Sequence, residues 1–247
     1  MPSPAEARPV WSRPPFIAAA VLLVLVLTLA VVLAVRGPNG QTTATPAPTT
    51  TPSESTPSTP TQPSQTNSSS ICGLKGDEDS GTLAEAPDVE WAYQGTTAYP
   101  TSRSAGPGET DAAGIRTCFQ HTPDGALLAA ANALVQPLDH AVVATWTEDF
   151  VAQGEYREQI LAEATTPIED SASTRLNIAG FRLLAYSAAS ARVDIAVRAS
   201  VDGVPVVSSS VYELVWQDGD WKLSAETPTP VSFAAIPDLA GYVPWGA

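Results

Sequence analysis

The strongest pattern along the chain is a run of twenty residues without a charge, which begins at Phe16 and ends at Val35. A helix of this length spans about 30 Å, which is the thickness of the hydrocarbon core of a bilayer. We therefore predict a transmembrane helix over residues 16–35. The alternative is a cleaved signal peptide, but the apolar region of such a peptide is usually shorter, at about 7–15 residues.

Residues 36–70 follow this run and consist mainly of Thr, Pro, Ser and Gln, without a large apolar side chain. Such a segment buries too little apolar surface to offset the entropy lost on ordering, so we predict a disordered linker. Its prolines favour extended conformations, which are typical of a stalk. The folded domain is accordingly predicted over residues 71–247, and residues 1–15 form a short N-terminal tail.

The first half of the predicted domain contains the signals of helices. Thr122, Pro123 and Asp124 are a typical helix start, with a cap, a proline in the first turn and an early acid. Residues 126–135 are apolar on nearly every side, which predicts a buried helix that Pro137 ends or kinks. The other predicted elements of this half are short strands over residues 89–93 and 115–120 and helices over residues 138–152 and 156–163.

The second half alternates between apolar and polar residues with a period of two, as half-buried strands do. In the clearest strand Val193 and Ile195 face one side, and Asp194 faces the opposite, polar side. Asp202-Gly203 and Asp218-Gly219 indicate tight turns. The prediction is an α+β domain, with helices packed on one face of a curved antiparallel sheet. Its strands are expected over residues 176–186, 192–201, 206–216 and 221–225.

Charge narrows the possible locations and partners. Residues 71–247 contain nine Lys and Arg against 24 Asp and Glu, a net charge of −15. Nucleic-acid binding requires basic residues that neutralise phosphates, so we predict no nucleic-acid partner. Arg8 and Arg13 precede the apolar run and Arg36 alone follows it closely, which favours an N-terminus on the inside. We expect a single-pass cell-membrane protein with a cytoplasmic tail and an acidic extracytoplasmic domain.

Cys72 and Cys118 are the two cysteines of the chain, and both lie in the predicted outer domain. Two cysteines in an exported domain indicate one disulfide, and two free thiols are the alternative. In the chain-entropy account, a loop of this size stabilises the fold by about 4 kcal/mol. No zinc-type spacing of Cys and His occurs, so we predict neither a metal site nor a cofactor.

Candidate catalytic residues are sparse. We assign His121 and His140 to a helix cap or the surface, and the adjacent carboxylates Glu148 and Asp149 point in different directions on a helix. We therefore predict that the protein is not an enzyme. Six aromatic residues are candidates for the lining of a cone-shaped cavity where the sheet curls around the helices. They are Trp146, Phe150, Tyr186, Tyr212, Trp216 and Trp221.

Three motifs carry a resemblance to known families. Helices followed by long hairpins, with the turn Trp216-Gln-Asp-Gly-Asp-Trp221-Lys-Leu, resemble the nuclear-transport-factor-2-like (NTF2-like, or cystatin-like) fold. The segments Tyr99-Pro-Thr-Ser to Gly106-Pro107 and Thr122-Pro-Asp-Gly125-Ala126 are similar to an uncharacterised actinobacterial family of membrane-anchored proteins linked to conjugative elements.

The anchored plan also resembles the outer domains of inner-membrane subunits of conjugation and type IV secretion systems. These resemblances imply a non-enzymatic structural or interaction protein of a conjugation-like envelope assembly, with other envelope proteins as partners. The alternative hypothesis is an extracytoplasmic module that binds a small ligand or a lipid in the aromatic-lined cone.

Overall fold

The structure, a computed structural model, describes residues 70–164, 175–201 and 204–247. The predicted tail, the transmembrane helix and residues 36–69 of the predicted linker lie outside them. Among the described residues, no helix has both the length and the apolar character needed to cross a bilayer. The described residues form an α+β domain with three α-helices and mostly antiparallel strands, which confirms the predicted class.

Helix α1, Pro123–Val135, occupies the centre of the domain and begins as predicted. The Thr122 hydroxyl oxygen accepts a hydrogen bond from the Gly125 N–H at 3.2 Å, and Pro123 occupies the first turn. Every residue of α1 except Asp124 is buried. A 3-10 turn, Gln136–Leu138, follows it directly. The apolar circumference of α1 therefore needs a cover on all sides, and the remaining elements supply it.

The main sheet packs against α1. Its strands are β5 Arg175–Ser187, β6 Ser190–Val201, β7 Val204–Gln217, β8 Asp220–Leu223, β9 Val231–Ala235 and β10 Val243–Pro244. Their order is β10-β5-β6-β7-β8, and β9 pairs with β7 on the edge that also carries β8. On that edge β8 pairs with the C-terminal end of β7, and β9 pairs with residues 208–212 near its middle.

Smaller elements cover the rest of α1. Strands β1, Glu90–Gln94, and β2, Thr97–Thr101, form an antiparallel hairpin, and β2 contacts α1. Two short strands, β3 (Glu109–Thr110) and β4 (Arg116–Thr117), pair with each other. Helix α2 is Val143–Phe150 and helix α3 is Arg157–Ala164.

Several predicted boundaries are wrong. The strand expected over residues 115–120 is reduced to the two residues of β4. The helix expected over residues 138–152 begins only at Val143, because the Asp139 carboxylate accepts the Ala141 N–H at 3.0 Å and turns the chain first. Strands β2, β3, β9 and β10 were not predicted, since their residues show no alternation long enough to indicate them.

The four central strands and their facing were predicted correctly, with one exception. Val193, Ile195, Tyr212 and Leu214 are buried against the helices, as expected. Asp194, predicted on a solvated polar face, is instead completely buried. The alternation correctly predicts that Asp194 lies on the outer face of β6. The C-terminal segment covers that face, and the sequence of β6 alone does not show this.

A network of charge-assisted hydrogen bonds surrounds the Asp194 carboxylate. Its Oδ2 accepts from Arg182 Nε at 3.1 Å and Nη2 at 2.5 Å, and from the Tyr242 hydroxyl at 2.8 Å. Its Oδ1 accepts from the Ser209 hydroxyl at 2.6 Å. The Arg182 guanidinium also lies 4.2 Å from the centre of the Tyr242 ring. These contacts attach the C-terminal segment to the outer face of the sheet.

The predicted disulfide between Cys72 and Cys118 is present, with the two Cα atoms 6.0 Å apart. It joins the first described residues to the loop before α1. The same loop is held by the buried Asp220 carboxylate of β8, which accepts the backbone N–H groups of Cys118 at 2.7 Å and Phe119 at 2.8 Å. Burial raises the pKa of Asp220, and the hydrogen bonds from Phe119, Cys118 and Trp221 offset this only in part.

We expect Asp194→Ala to lower the free energy of unfolding by about 3 kcal/mol, because it leaves several donors without their charged acceptor. Denaturant-induced unfolding measures the change. Glu213→Ala is the matched control on the same face: Glu213 pairs with Arg192 at 3.1 Å, but about half of each side chain is exposed. Its loss should cost less than about 1 kcal/mol. Equal losses for both variants would contradict the special role of Asp194.

We also expect a pH signature from Asp220. Its pKa is raised in the folded state, so above the ordinary value of 3.8 the folded protein retains a proton that the unfolded chain has released. The stability that Asp220 contributes therefore falls as pH rises through its folded pKa. Asp220→Asn removes this titration, so the wild-type advantage over it should shrink as pH rises above the ordinary Asp pKa of 3.8. Unfolding curves at several pH values test this, and an advantage that grows with pH would contradict it.

Candidate functional site

A cleft of about 660 Å³ lies between α2, α3, the strand β9 and the loop that precedes β9. The chain after α2 fixes this arrangement: the Ala152 N–H donates to the Leu223 carbonyl at 2.8 Å, and the Tyr156 N–H donates to the Ala225 carbonyl at 2.9 Å. Both helices are thereby attached to β8 and its continuation. The cleft walls are mainly apolar and include Trp146, Phe150, Ile160, Tyr212, Leu223 and Phe233.

Aromatic side chains dominate two walls of the cleft. Trp146 and Phe150 are four residues apart on α2, so their rings stack, with centroids 4.9 Å apart and planes at 16°. Tyr212 contributes from the inner face of β7 and is buried. Phe233 lies at the rim on β9, and 70 % of its side chain is exposed. The arrangement offers flat apolar surfaces to a guest molecule.

Few polar groups reach the cleft. The Thr147 hydroxyl donates to the Val143 carbonyl of its own helix at 2.7 Å and is thereby satisfied. Burial raises the pKa of Tyr212, so its hydroxyl stays neutral at physiological pH. His140 and Glu163 are exposed side chains of the lining. The cleft is therefore suited to binding through apolar contact and lacks a buried general base among its described lining residues.

The six aromatic residues predicted for one cone are divided between two places. Trp146, Phe150 and Tyr212 line the cleft. Tyr186, Trp216 and Trp221 pack together elsewhere: Trp216 and Trp221 lie opposite each other in the β7–β8 hairpin, with ring centroids 5.3 Å apart. Position along β7 decides this division: Tyr212 and Trp216 share its inner face, but Trp216 lies at the β7–β8 hairpin, where Trp221 Nε1 donates to the Gln120 carbonyl of the loop that precedes α1.

His121 lies inside this second aromatic cluster and is buried, so its assignment to a cap or the surface was wrong. Its ring stacks on Trp216, with centroids 4.0 Å apart, and its Nε2 lies 2.5 Å from the Ala188 carbonyl oxygen. The Asp77 carboxylate approaches Nδ1 to 2.6 Å, but the two groups are not aligned for a hydrogen bond. His121 thus connects the N-terminal loop to the β5–β6 turn, and the sequence contained no signal of this role.

The described residues offer no cluster of three or more His, Cys, Asp or Glu side chains that could hold a metal ion.

A family model described as a domain of unknown function, DUF8175, matches residues 34–244. The chain belongs to this family. Comparisons with curated protein sequences and with solved structures find no match. The DUF8175 match includes both cysteines, the cleft and the aromatic cluster around His121, so all of these features lie within the family domain.

The two aromatic groups of the DUF8175 domain should respond differently to truncation. Trp216→Ala removes a buried ring and should lower the free energy of unfolding by about 3–5 kcal/mol. Phe233→Ala removes a mostly exposed ring and should change it by less than about 0.5 kcal/mol. Denaturant-induced unfolding of both variants tests this. A large loss for Phe233→Ala would show that the cleft rim is part of the core.

Proposed function

We propose that this chain is a non-enzymatic, membrane-anchored extracytoplasmic protein whose domain binds a small apolar ligand or the acyl chain of a lipid. The observation that carries the proposal is the cleft between α2, α3 and β9. Its volume of about 660 Å³ falls within the range of small-molecule sites, roughly 300–1,000 Å³. Its lining, mainly apolar with a stacked Trp146–Phe150 pair, is also typical of such sites.

The physical basis of binding is removal of apolar surface from water. A guest that covers the exposed parts of Phe150 and Phe233 gains roughly 25 cal/mol for each Å² of apolar area buried. The lining has few polar groups, so their desolvation costs little free energy. For the same reason, hydrogen bonds contribute little to the choice among guest molecules. The net charge of −15 on residues 71–247 disfavours an anionic guest, which makes a neutral or cationic amphiphile the preferred class.

The fold supports a finer family inference. Three helices precede the long antiparallel strands β5 to β7 and the short strand β8, and the sheet carries an apolar cleft beside the helices. We infer from this order that the domain is NTF2-like, in agreement with the resemblance of its Trp216–Trp221 turn. The inferred anchor, stalk and outer domain suit a protein that works at the outer surface of the cell membrane.

A second candidate function is a structural role in a conjugation-like envelope assembly, with other envelope proteins as partners. The inferred anchor and stalk support it, because they would hold the outer domain within reach of other envelope proteins. Chemical cross-linking in the native envelope should then recover other envelope subunits. Repeated recovery of the chain alone would contradict this role.

Ligand binding is tested with the purified full chain and the neutral fluorescent probe N-phenyl-1-naphthylamine. Ala144 lines the cleft and is exposed, so Ala144→Phe should fill part of the space and weaken probe binding at least about tenfold. Thr145→Phe is the matched control, since Thr145 is an exposed neighbour on the same helix outside the cleft lining. Its affinity should equal that of the wild type.

The difference between the two variants isolates the cleft from any partitioning of the probe into the membrane or detergent around the anchor. Equal probe affinity in Ala144→Phe and Thr145→Phe, or an absence of saturable binding by the wild type, would contradict the proposal. Matching thermal unfolding curves for the two variants exclude a folding defect as the cause of a difference.

A further inference from the structure

The inner face of the sheet continues beyond the cleft and is exposed there. Tyr212 lines the cleft from β7, and side chains alternate along a strand, so Val206 and Val204 lie on the same face further along β7. Val206 is 37 % exposed and Val204 is 60 % exposed. Phe233 of β9 also lines the cleft and is 70 % exposed. Three of the seven large apolar side chains that are exposed in the described part of the chain thus lie on one face beside the cleft.

The strand register shows which side chains surround these three. Residues that pair directly in an antiparallel sheet project to the same face. Val206 pairs with Ala199 of β6, Ala199 pairs with Leu176 of β5, and Ser208 pairs with Ala235 of β9. We call this surface the apolar strip, and it consists of Leu176, Ala199, Val204, Val206, Ser208, Phe233 and Ala235. None of these residues is charged, and the Ser208 hydroxyl is the one polar side-chain group among them.

The length of the apolar strip matches one lipid chain. The six residues from Tyr212 to Val206 extend for about 20 Å along β7. The hydrocarbon core of a bilayer is about 30 Å thick and holds two chains end to end, so each chain extends for about 15 Å. A whole chain can therefore lie along the path that begins in the cleft and continues on the strip.

The shape and chemistry of this path select an alkyl chain among the possible occupants. A compact ligand can fill the cleft but leaves the strip exposed to water. An extended peptide could lie on the strip, but the backbone groups of the sheet bond sideways to neighbouring strands and leave the peptide's own N–H and C=O groups without partners on that side. An alkyl chain has no polar group to satisfy and can lie in the cleft and on the strip at once.

We propose that the cleft and the apolar strip form one continuous site for the long alkyl chain of a single-chain neutral lipid. The inference rests on the proposed function and narrows its ligand class, since it favours an extended chain over a compact apolar molecule. The exposure of Val204, Val206 and Phe233 then has a physical reason, because the bound chain covers them. The net charge of −15 on residues 71–247 favours a neutral head group over an anionic one.

Displacement of N-phenyl-1-naphthylamine by 1-monoacylglycerols of 8, 10, 12 and 14 carbons tests the proposal on the purified full chain. Val206→Gln introduces a polar amide into the strip. It should bind the 8-carbon lipid as the wild type does and the 14-carbon lipid roughly fourfold more weakly, which corresponds to the loss of about one buried CH₂ contact. The comparison at each length in the same detergent cancels partitioning of the lipid into micelles.

Val207→Gln is the matched control, because Val207 is the next residue of β7 and its side chain lies on the opposite face. It should bind every lipid as the wild type does. Val204→Gln provides a second variant of the strip at a side chain that is 60 % exposed, so its substitution leaves the core intact. It should show the same loss, confined to the longer lipids. Thermal unfolding curves establish that each variant is folded.

The outcomes separate this inference from the function on which it rests. Saturable binding of the naphthylamine, with displacement that is the same in Val206→Gln, Val204→Gln and the wild type at every length, would overturn the inference and leave the cleft as a site for compact ligands. That result is also expected if a protein surface covers the strip. An equal loss at all lengths, or an equal loss in Val207→Gln, would likewise overturn it. An absence of saturable naphthylamine binding would overturn both proposals.

Discussion

The fold depends on one constraint, which is that α1 is apolar on nearly every side. A helix of this kind cannot face water anywhere along its length and must be enclosed. The sheet strands β5, β6, β7 and β8 contact it on one side, and β2 of the small hairpin contacts it on another. The segments before and after α1 are arranged by this requirement, since each covers a part of the helix that the sheet leaves open.

Buried polar side chains hold the covering segments in place. Asp220 accepts backbone N–H groups of the loop that leads into α1, and Asp194 holds the C-terminal segment on the outer face of the sheet. Arg116 links the β1–β2 hairpin to α1, because its guanidinium donates to Asn132 of α1 at 2.7 Å and to Gln94 of β1 at 2.9 Å. A hydrophobic cover could slide, whereas these directional bonds select one arrangement.

The cleft follows from a difference in length between the helix and the sheet. Strand β7 has 14 residues and extends for about 46 Å, whereas the 13 residues of α1 extend for about 20 Å. A single helix cannot cover such a strand. The short helices α2 and α3 shield part of the remaining apolar surface, and the uncovered part becomes the cleft lined by Trp146, Phe150 and Tyr212.

The sequence by itself determined the features that depend on neighbouring residues. These are the Thr122 cap, the buried character of α1, the alternation of the central strands and the α+β class, because period and turn chemistry are local properties. Only the tertiary structure decided the burial of Asp194 and His121, the division of the six aromatic residues and the exposure of the apolar strip. Each of these depends on which distant segment covers a given surface. The sequence pattern of a single strand or helix does not show which other segment packs against it.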